Sequence, residues 1–284
     1  MSRSLFHYTV LADGLLQIQG PMGFCAALAA GSRRALLFDT MCGVGDLAGY
    51  VRGLTALPLV VVNSHGHFDH VGGNYQFDAV YLAPEEYEAT RWLRQADLRR
   101  ELVERLETNG GFVMDSRDRR RLLDQGRFDR YLPLTPGQVF DLGGVRAQAV
   151  PLPGHTAGST GLLLREWGIL LSGDAMTPIM CLFFPESVGL GVYTTTLERA
   201  MGLPLRGFVT GHHPRLFPAS SLRGFLACAR AVPNMRPLPF QHGIFPEYTG
   251  KLYIYRGENA QDEDFLALIG PGASRSPGEG GSIK

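Results

Sequence analysis

The 284-residue sequence carries no excess of charge of either sign, with Lys+Arg and Asp+Glu at 27 each. A surface that tracks nucleic-acid phosphates or an anionic membrane needs a basic surplus, so neither is an expected partner and a small molecule is. No apolar run is long enough to span a bilayer. The opening MSRSLFHYTVLADGLLQIQG lacks the continuous apolar core and small-residue cleavage site of a secretory signal, so a cytoplasmic location is expected. Cysteine is scarce: Cys25, Cys42, Cys181 and Cys228 are widely separated and form no CxxC pair, which argues for free, mostly buried thiols over a disulfide framework. A GxSxG nucleophile elbow is also absent.

What is present is an ordinary globular composition, 45% hydrophobic and 19% charged, in a chain long enough for one large domain or two small ones. Short apolar runs alternate with turn residues. LLQIQG, FCAALAAG, RALLFDT and LPLVVVNS read as strands, with a helix from Val44 to Leu57 before the last of them. GQVFDLGG, VRAQAVPLPG, STGLLLRE, GILLSGD and RGFVTG form a second strand set, with helices over TTTLERAMGLP and PASSLRGFLACARAV, and KLYIYRG as a late strand. The segment 85–108 reads as a broken amphipathic helix whose charge run is a solvated face, with a lid over the site as the alternative. The Gly/Ser-rich end, 270–284, is expected to be a disordered tail behind a folded unit over 1–269.

Chemistry concentrates in VVNSHGHFDHVGGN, Val61 to Asn74, where His65, His67, Asp69 and His70 fall within six residues of a chain that holds eight histidines. Imidazole nitrogen and carboxylate oxygen are the donors a borderline ion such as Zn²⁺ takes up. The stretch starts where a buried strand ends, the usual place for chemistry in an α/β sheet. His65 and His67, two apart in extended chain, can project to one side, and a turn at Phe68 redirects Asp69 and His70. Further donors stand at strand ends: His155 in PLPGHTAGST, Asp174 in LLSGDAM and His212 in FVTGHHP.

Taken in order, FDT with Asp39, SHGHFDH, PGHTAGS, SGDAM and TGHH resemble the metallo-β-lactamase superfamily over roughly residues 10–260. The resemblance implies an α/β fold, a single-domain four-layer αββα sandwich with its metals at one sheet edge. It implies that His65, His67 and His155 hold a first metal, that Asp69, His70 and His212 hold a second, and that Asp174 bridges them. Asp39 then orients a ligand from behind. Two divalent ions are the implied cofactors, zinc first, with iron or manganese compatible. His213 adjoins His212, and the family pattern favours the residue directly after Gly211. His7 and His242 match no motif and read as surface or satisfied histidines, although His242 is in reach of a pocket.

Two metals can hold a hydroxide between them and polarise a substrate oxygen, with Asp69 orienting the nucleophile. The expected activity is therefore hydrolysis of a small-molecule ester, thioester, lactone or related bond. Asp174 disfavours the β-lactamases, which generally lack it, and DAMTPIMCLFFPES lacks the tyrosine of the lactonases. A glyoxalase II-like thioesterase is suggested by HVGGN, without a distinct basic cluster for glutathione. The alternative is a mononuclear iron oxidoreductase of the persulfide dioxygenase type. Met176, Ile179, Phe183 and Phe184, which follow Asp174, read equally well as pocket lining or as core.

Overall fold

The computed structural model describes residues 5–125, 127–260 and 262–272. The first half builds a seven-stranded sheet whose spatial order is its chain order: β1 (His7–Ala12), β2 (Leu15–Gln19), β3 (Cys25–Ala30), β4 (Ala35–Phe38), β5 (Leu59–Val62), β6 (Val80–Leu82) and β7 (Tyr131–Pro133). Pairing is antiparallel from β1 to β4 and parallel from β4 to β7. Helix α1 (Leu47–Leu54) fills the crossover between β4 and β5, as a parallel pair requires. Asp46 caps it, its carboxylate accepting from Gly49 N at 3.0 Å. The single-turn α2 (Phe68–Val71) follows β5, and α3 (Ala96–Thr108) and α4 (Ser116–Arg120) lie between β6 and β7.

The second half adds β8 (Val139–Asp141), β9 (Arg146–Pro151), β10 (Thr160–Leu164) and β11 (Ile169–Gly173). Chain order continues with β12 (Ile179–Cys181), α5 (Leu190–Met201), β13 (Gly207–Thr210), β14 (Leu216–Pro218), α6 (Ser221–Ala231), β15 (Leu238–Gln241), β16 (Thr249–Arg256) and β17 (Leu266–Pro271). The second sheet runs β14-β13-β11-β10-β9-β8, and a third runs β12-β17-β16-β15.

Strand alternation explains the layering. Successive side chains point to opposite faces, and both faces of the central strands are apolar. On β3 and β4, Ala26, Leu28, Ala35 and Leu37 pack with α1 and α3 through Leu47, Val51, Leu102 and Leu106. Their alternates Ala27, Ala29, Leu36 and Phe38 meet Ala147, Leu162, Leu171 and Val209 of the second sheet. On that sheet's outer side Leu163, Leu170 and Phe208 pack with Tyr193, Leu197 and Phe225 of α5 and α6. Three apolar layers between four structural layers make the αββα sandwich. Each fully buried Leu or Phe contributes about 1.5–3 kcal/mol of transfer free energy, before the entropy of ordering it.

Two sequence readings change. The charge run of 85–108 is not uniformly solvated: the segment breaks into short 3-10 turns at Pro84–Glu86 and Arg91–Leu93 before α3, and both Glu86 and Arg99 are buried. Arg99 Nη1 donates to Leu93 O at 2.9 Å, so a guanidinium ties the turn to the helix. At the other end β17 continues through Pro271, which places Gly270 and Pro271 in the third sheet instead of a tail. Residues 273–284 lie outside the described residues.

Candidate metal centre

The strands that carry the motifs end at one edge of the sandwich. Asp39 follows β4, His65 and His67 follow β5, Asp174 follows β11, His212 follows β13, and His155 stands in the loop from β9 to β10. His67 keeps an extended backbone (φ −71°, ψ 152°) at the entry to α2, and the single turn then swings Asp69 and His70 to the other side, as the spacing predicts. The motif glycines serve close approach: a side chain on Gly73 would overlap Thr40 O, and one on Gly211 would lie 2.6 Å from both Asp174 Oδ1 and His70 Cε1.

Two donor groups result. One nitrogen from each of His65, His67 and His155 forms the first, and Asp69, His70, Asp174 and His212 form the second, with the donor atoms of each group within 4.8 Å of one another. His155 Nε2 and His67 Nδ1 are 2.9 Å apart. Asp174 stands between the groups, with Oδ2 3.0 Å from His212 Nε2 and 3.8 Å from His155 Nε2. Asp69 Oδ2 lies 3.4 Å from His212 Nε2 and 3.6 Å from His70 Nε2. His212, and not His213, enters the cluster; His213 turns its Nδ1 to Thr210 Oγ1 at 3.3 Å and its ring to Phe217. His7 is exposed and pairs with Gln19.

Each buried imidazole is held from behind so that its other nitrogen faces the centre. His65 Nδ1 meets Ser64 Oγ at 2.9 Å, His155 Nδ1 donates to Cys181 O at 2.8 Å, and His70 Nδ1 donates to Asp39 Oδ2 at 2.8 Å. Asp39 also accepts from Ser64 N at 2.7 Å and Ser64 Oγ at 2.9 Å. It does so from a left-handed backbone, φ 68°, a conformation uncommon outside glycine and better tolerated by Asp than by most residues. Asn63 Nδ2 donates to His70 O at 2.8 Å, and Thr40 and Asn74 close that network.

The electrostatics divide the groups. Burial holds the His65 imidazole well below its usual range and pushes His67 and His155 down to about 4, so the first group offers neutral nitrogens. Burial also disfavours charge on His70, but Asp174, Asp39 and Asp69 together outweigh it and hold His70 well above its usual range. Burial disfavours the Asp174 carboxylate too, yet His212 and His70 keep it ionised. A divalent ion fits this set. His65 Nε2 is buried with no hydrogen-bond partner among the described residues, and His70 Nε2 comes no nearer than 3.4 Å to Asp174 Oδ1. Such an arrangement is costly unless something shared satisfies the inward atoms. Burial raises Cys25 and Cys42 to about 12, which leaves them protonated thiols.

Glu86 escaped the sequence reading. Its carboxylate accepts from Gly66 N at 2.9 Å and from Gly158 N at 2.7 Å, stapling the loop of His65 and His67 to the loop of His155. Nothing in EEYEAT distinguishes it from its exposed neighbour Glu85, so no local signal could have found it.

A cavity of about 480 Å³ opens over the donors. Ile179 and Phe184 line it, whereas Met176 and Phe183 are buried in the core, so the four residues after Asp174 divide between the two readings. The opposite wall is α3, through Leu98 and Leu102, with Trp92 ahead of it. Arg105 on α3 pairs with Glu101 at 2.7 Å and with Glu247 at 2.8 Å, and Asn109 Nδ2 donates to Ile244 O at 3.0 Å. The 85–108 segment is thus fastened across the site to the loop after β15.

The metallo-beta-lactamase superfamily model matches residues 22–215, which contain every residue of the two donor groups. The chain belongs to that superfamily. As a member it is an enzyme of the hydrolase type. The chain is 29% identical over 200 residues to chicken (Gallus gallus) acyl-coenzyme A thioesterase MBLAC2, covering 64% of this chain and 68% of that protein. Against the human (Homo sapiens) protein of the same name it is 30% identical over 203 residues, with the same coverage. The superfamily fold recurs in a metallo-beta-lactamase family protein of Thermus thermophilus, at a TM-score of 0.58 and 23% identity over 78% of this chain and 81% of that one. Among the described residues, no helix is long and apolar enough to cross a membrane.

Proposed function

We propose that this hydrolase cleaves the thioester or ester of an apolar acyl group, with acyl-coenzyme A thioesters as the first class to test, using two divalent ions, zinc first. The observation that carries the reading is that two donor groups, with Asp174 of the second 3.8 Å from His155 of the first, border a cavity whose walls are largely aromatic and aliphatic. An apolar acyl chain is stabilised against Trp92, Leu98, Leu102 and Phe184, and its carbonyl is brought to the donors. The name of the vertebrate relatives supports a thioester over a lactam or a phosphodiester.

Bound there, the ions supply Lewis acidity and a nucleophile from water at neutral pH. The chain's own part is to keep three imidazoles neutral and aimed, to keep Asp174 ionised between the groups, and to exclude bulk water by the α3 wall. Asp69, whose Oδ2 lies close to His70 and His212, would help hold the second ion and orient the attacking water. Because Cys25 and Cys42 are protonated, no thiolate of theirs competes as nucleophile.

The test is metal analysis of the protein as isolated, with thiol release measured from acyl-coenzyme A substrates of increasing chain length and oxygen uptake measured on the same preparation. About two divalent ions per chain and chain-length-dependent thiol release are expected. One iron per chain with oxygen uptake on a persulfide and no hydrolysis would overturn the reading.

A further inference from the structure

His242 follows β15 in a loop that no motif marks. Its Nδ1 accepts two backbone hydrogens, from Ile244 N at 3.2 Å and from Phe245 N at 3.1 Å. A ring nitrogen that accepts two N–H groups carries no proton, so the proton of the neutral ring sits on Nε2. That Nε2 has no hydrogen-bond partner among the described residues, and the ring lines the cavity over the donor groups. Aromatic neighbours fix its plane: ring centroids lie 5.7 Å from Phe184 and 5.4 Å from Phe245. Phe184 in turn packs 4.8 Å from His67 and 5.6 Å from His155. His242 therefore belongs to the aromatic wall that adjoins the first donor group.

We propose that His242 is a substrate-orienting residue whose Nε2–H donates a hydrogen bond to an oxygen of the bound substrate beside the scissile bond, held in that tautomer by the Ile244 and Phe245 amides. The proposal rests on the acyl-ester or thioester reading above. Its physical basis is that an apolar wall binds an acyl chain without fixing its rotation. A donor with two backbone anchors and ring contacts to Phe184 and Phe245 supplies that orientation with little entropy left to lose on binding. The sequence reading of His242 as a satisfied histidine is half right: one nitrogen is satisfied, and the other is free for a ligand.

Two substitutions separate this role from simple support of the loop. In His242→Asn the side-chain oxygen stands near the position of Nδ1 and still accepts from the amides, but the donor is gone. In His242→Gln the amide nitrogen reaches the position of Nε2, while the acceptor for the loop is lost. Orientation by the donor predicts that Asn lowers kcat/KM by about tenfold or more with Tm within about 3 °C of wild type, and that Gln retains activity within about threefold. A purely structural role predicts the opposite order, with Gln the worse variant in both activity and Tm. A readout independent of turnover is the long-range proton–nitrogen spectrum of histidine-labelled protein, with the His242 signals assigned by their loss in His242→Asn. The Nε2-protonated tautomer is expected, and an Nδ1-protonated ring would overturn the proposal. Absence of any ester or thioester hydrolysis by the wild-type enzyme overturns the hydrolytic reading and this assignment with it. Wild-type turnover matched by His242→Asn overturns this assignment alone.

Discussion

Replacing Glu86 by Gln changes one oxygen to an amide nitrogen and almost nothing in shape, yet it should loosen the metal centre from outside. The carboxylate now accepts one backbone hydrogen at each oxygen, Gly66 N at 2.9 Å and Gly158 N at 2.7 Å. Glutamine has a single acceptor, so one glycine N–H is left facing an NH₂ group. A hydrogen bond to an ionised group contributes about 1.5–3 kcal/mol, and a buried donor left unpaired costs about 1–3 kcal/mol. Part of this is returned, because burial disfavours the charge: it raises the Glu86 carboxyl above its usual range despite the two amides. The net loss should be about 1–3 kcal/mol, or a fall in Tm of about 2–8 °C in a chain of this size. The tethered loops carry His65, His67 and His155, so metal affinity should also drop, by about 10- to 100-fold, the range seen when a supporting partner is removed from a ligand. Thermal melts of metal-free and metal-loaded protein give the first quantity, and competition with a chromogenic chelator gives the second. Wild-type values for both would refute the idea that Glu86 staples the two ligand loops.

Asp69→Asn should reduce bound metal from about two ions per chain toward one and lower hydrolysis by about 10²-fold or more, measured by elemental analysis and thiol release on one preparation. In metal-free protein, His67 and His155 are each depressed to about 4, so their contribution to stability is complete above the unfolded value near 6.5 and is lost as pH falls toward 4. His70 and His212 are raised and act oppositely: their contribution is present below about 6.5 and lost as pH rises through their folded values. Denaturant midpoints of metal-free protein should therefore peak near neutral pH, and a midpoint that climbs steadily from pH 6.5 down to 4 would contradict these directions. Truncation after Gly272 should leave Tm within about 2 °C, since the residues removed are poor in apolar side chains, whereas truncation after Ile269 should cost more by shortening β17.

The candidate donors of the His65–His70 stretch and the core were legible in the sequence because both depend on local pattern, whereas His155, Asp174 and His212 were tied to that stretch only by the family resemblance. His65, His67, Asp69 and His70 are close in space because they are close in chain, and the turn after His67 follows from the strand ending before it. The two-faced apolar runs of β3, β4 and β11 announce strands buried on both sides without reference to any partner. Short or edge strands did not announce themselves: β7, β12 and β14 have three residues each, too few for a period, and exist because a neighbour supplies hydrogen bonds. The same limit hid Glu86, which acts on Gly158 across 72 residues, and the Arg105–Glu247 pair that closes α3 over the cavity. It also left open the choice of His212 over His213 and the division of Ile179 and Phe184 from Met176 and Phe183. Neighbouring residues of like chemistry differ only in the direction the backbone gives them. That direction is set by packing between distant segments, which no local spacing encodes.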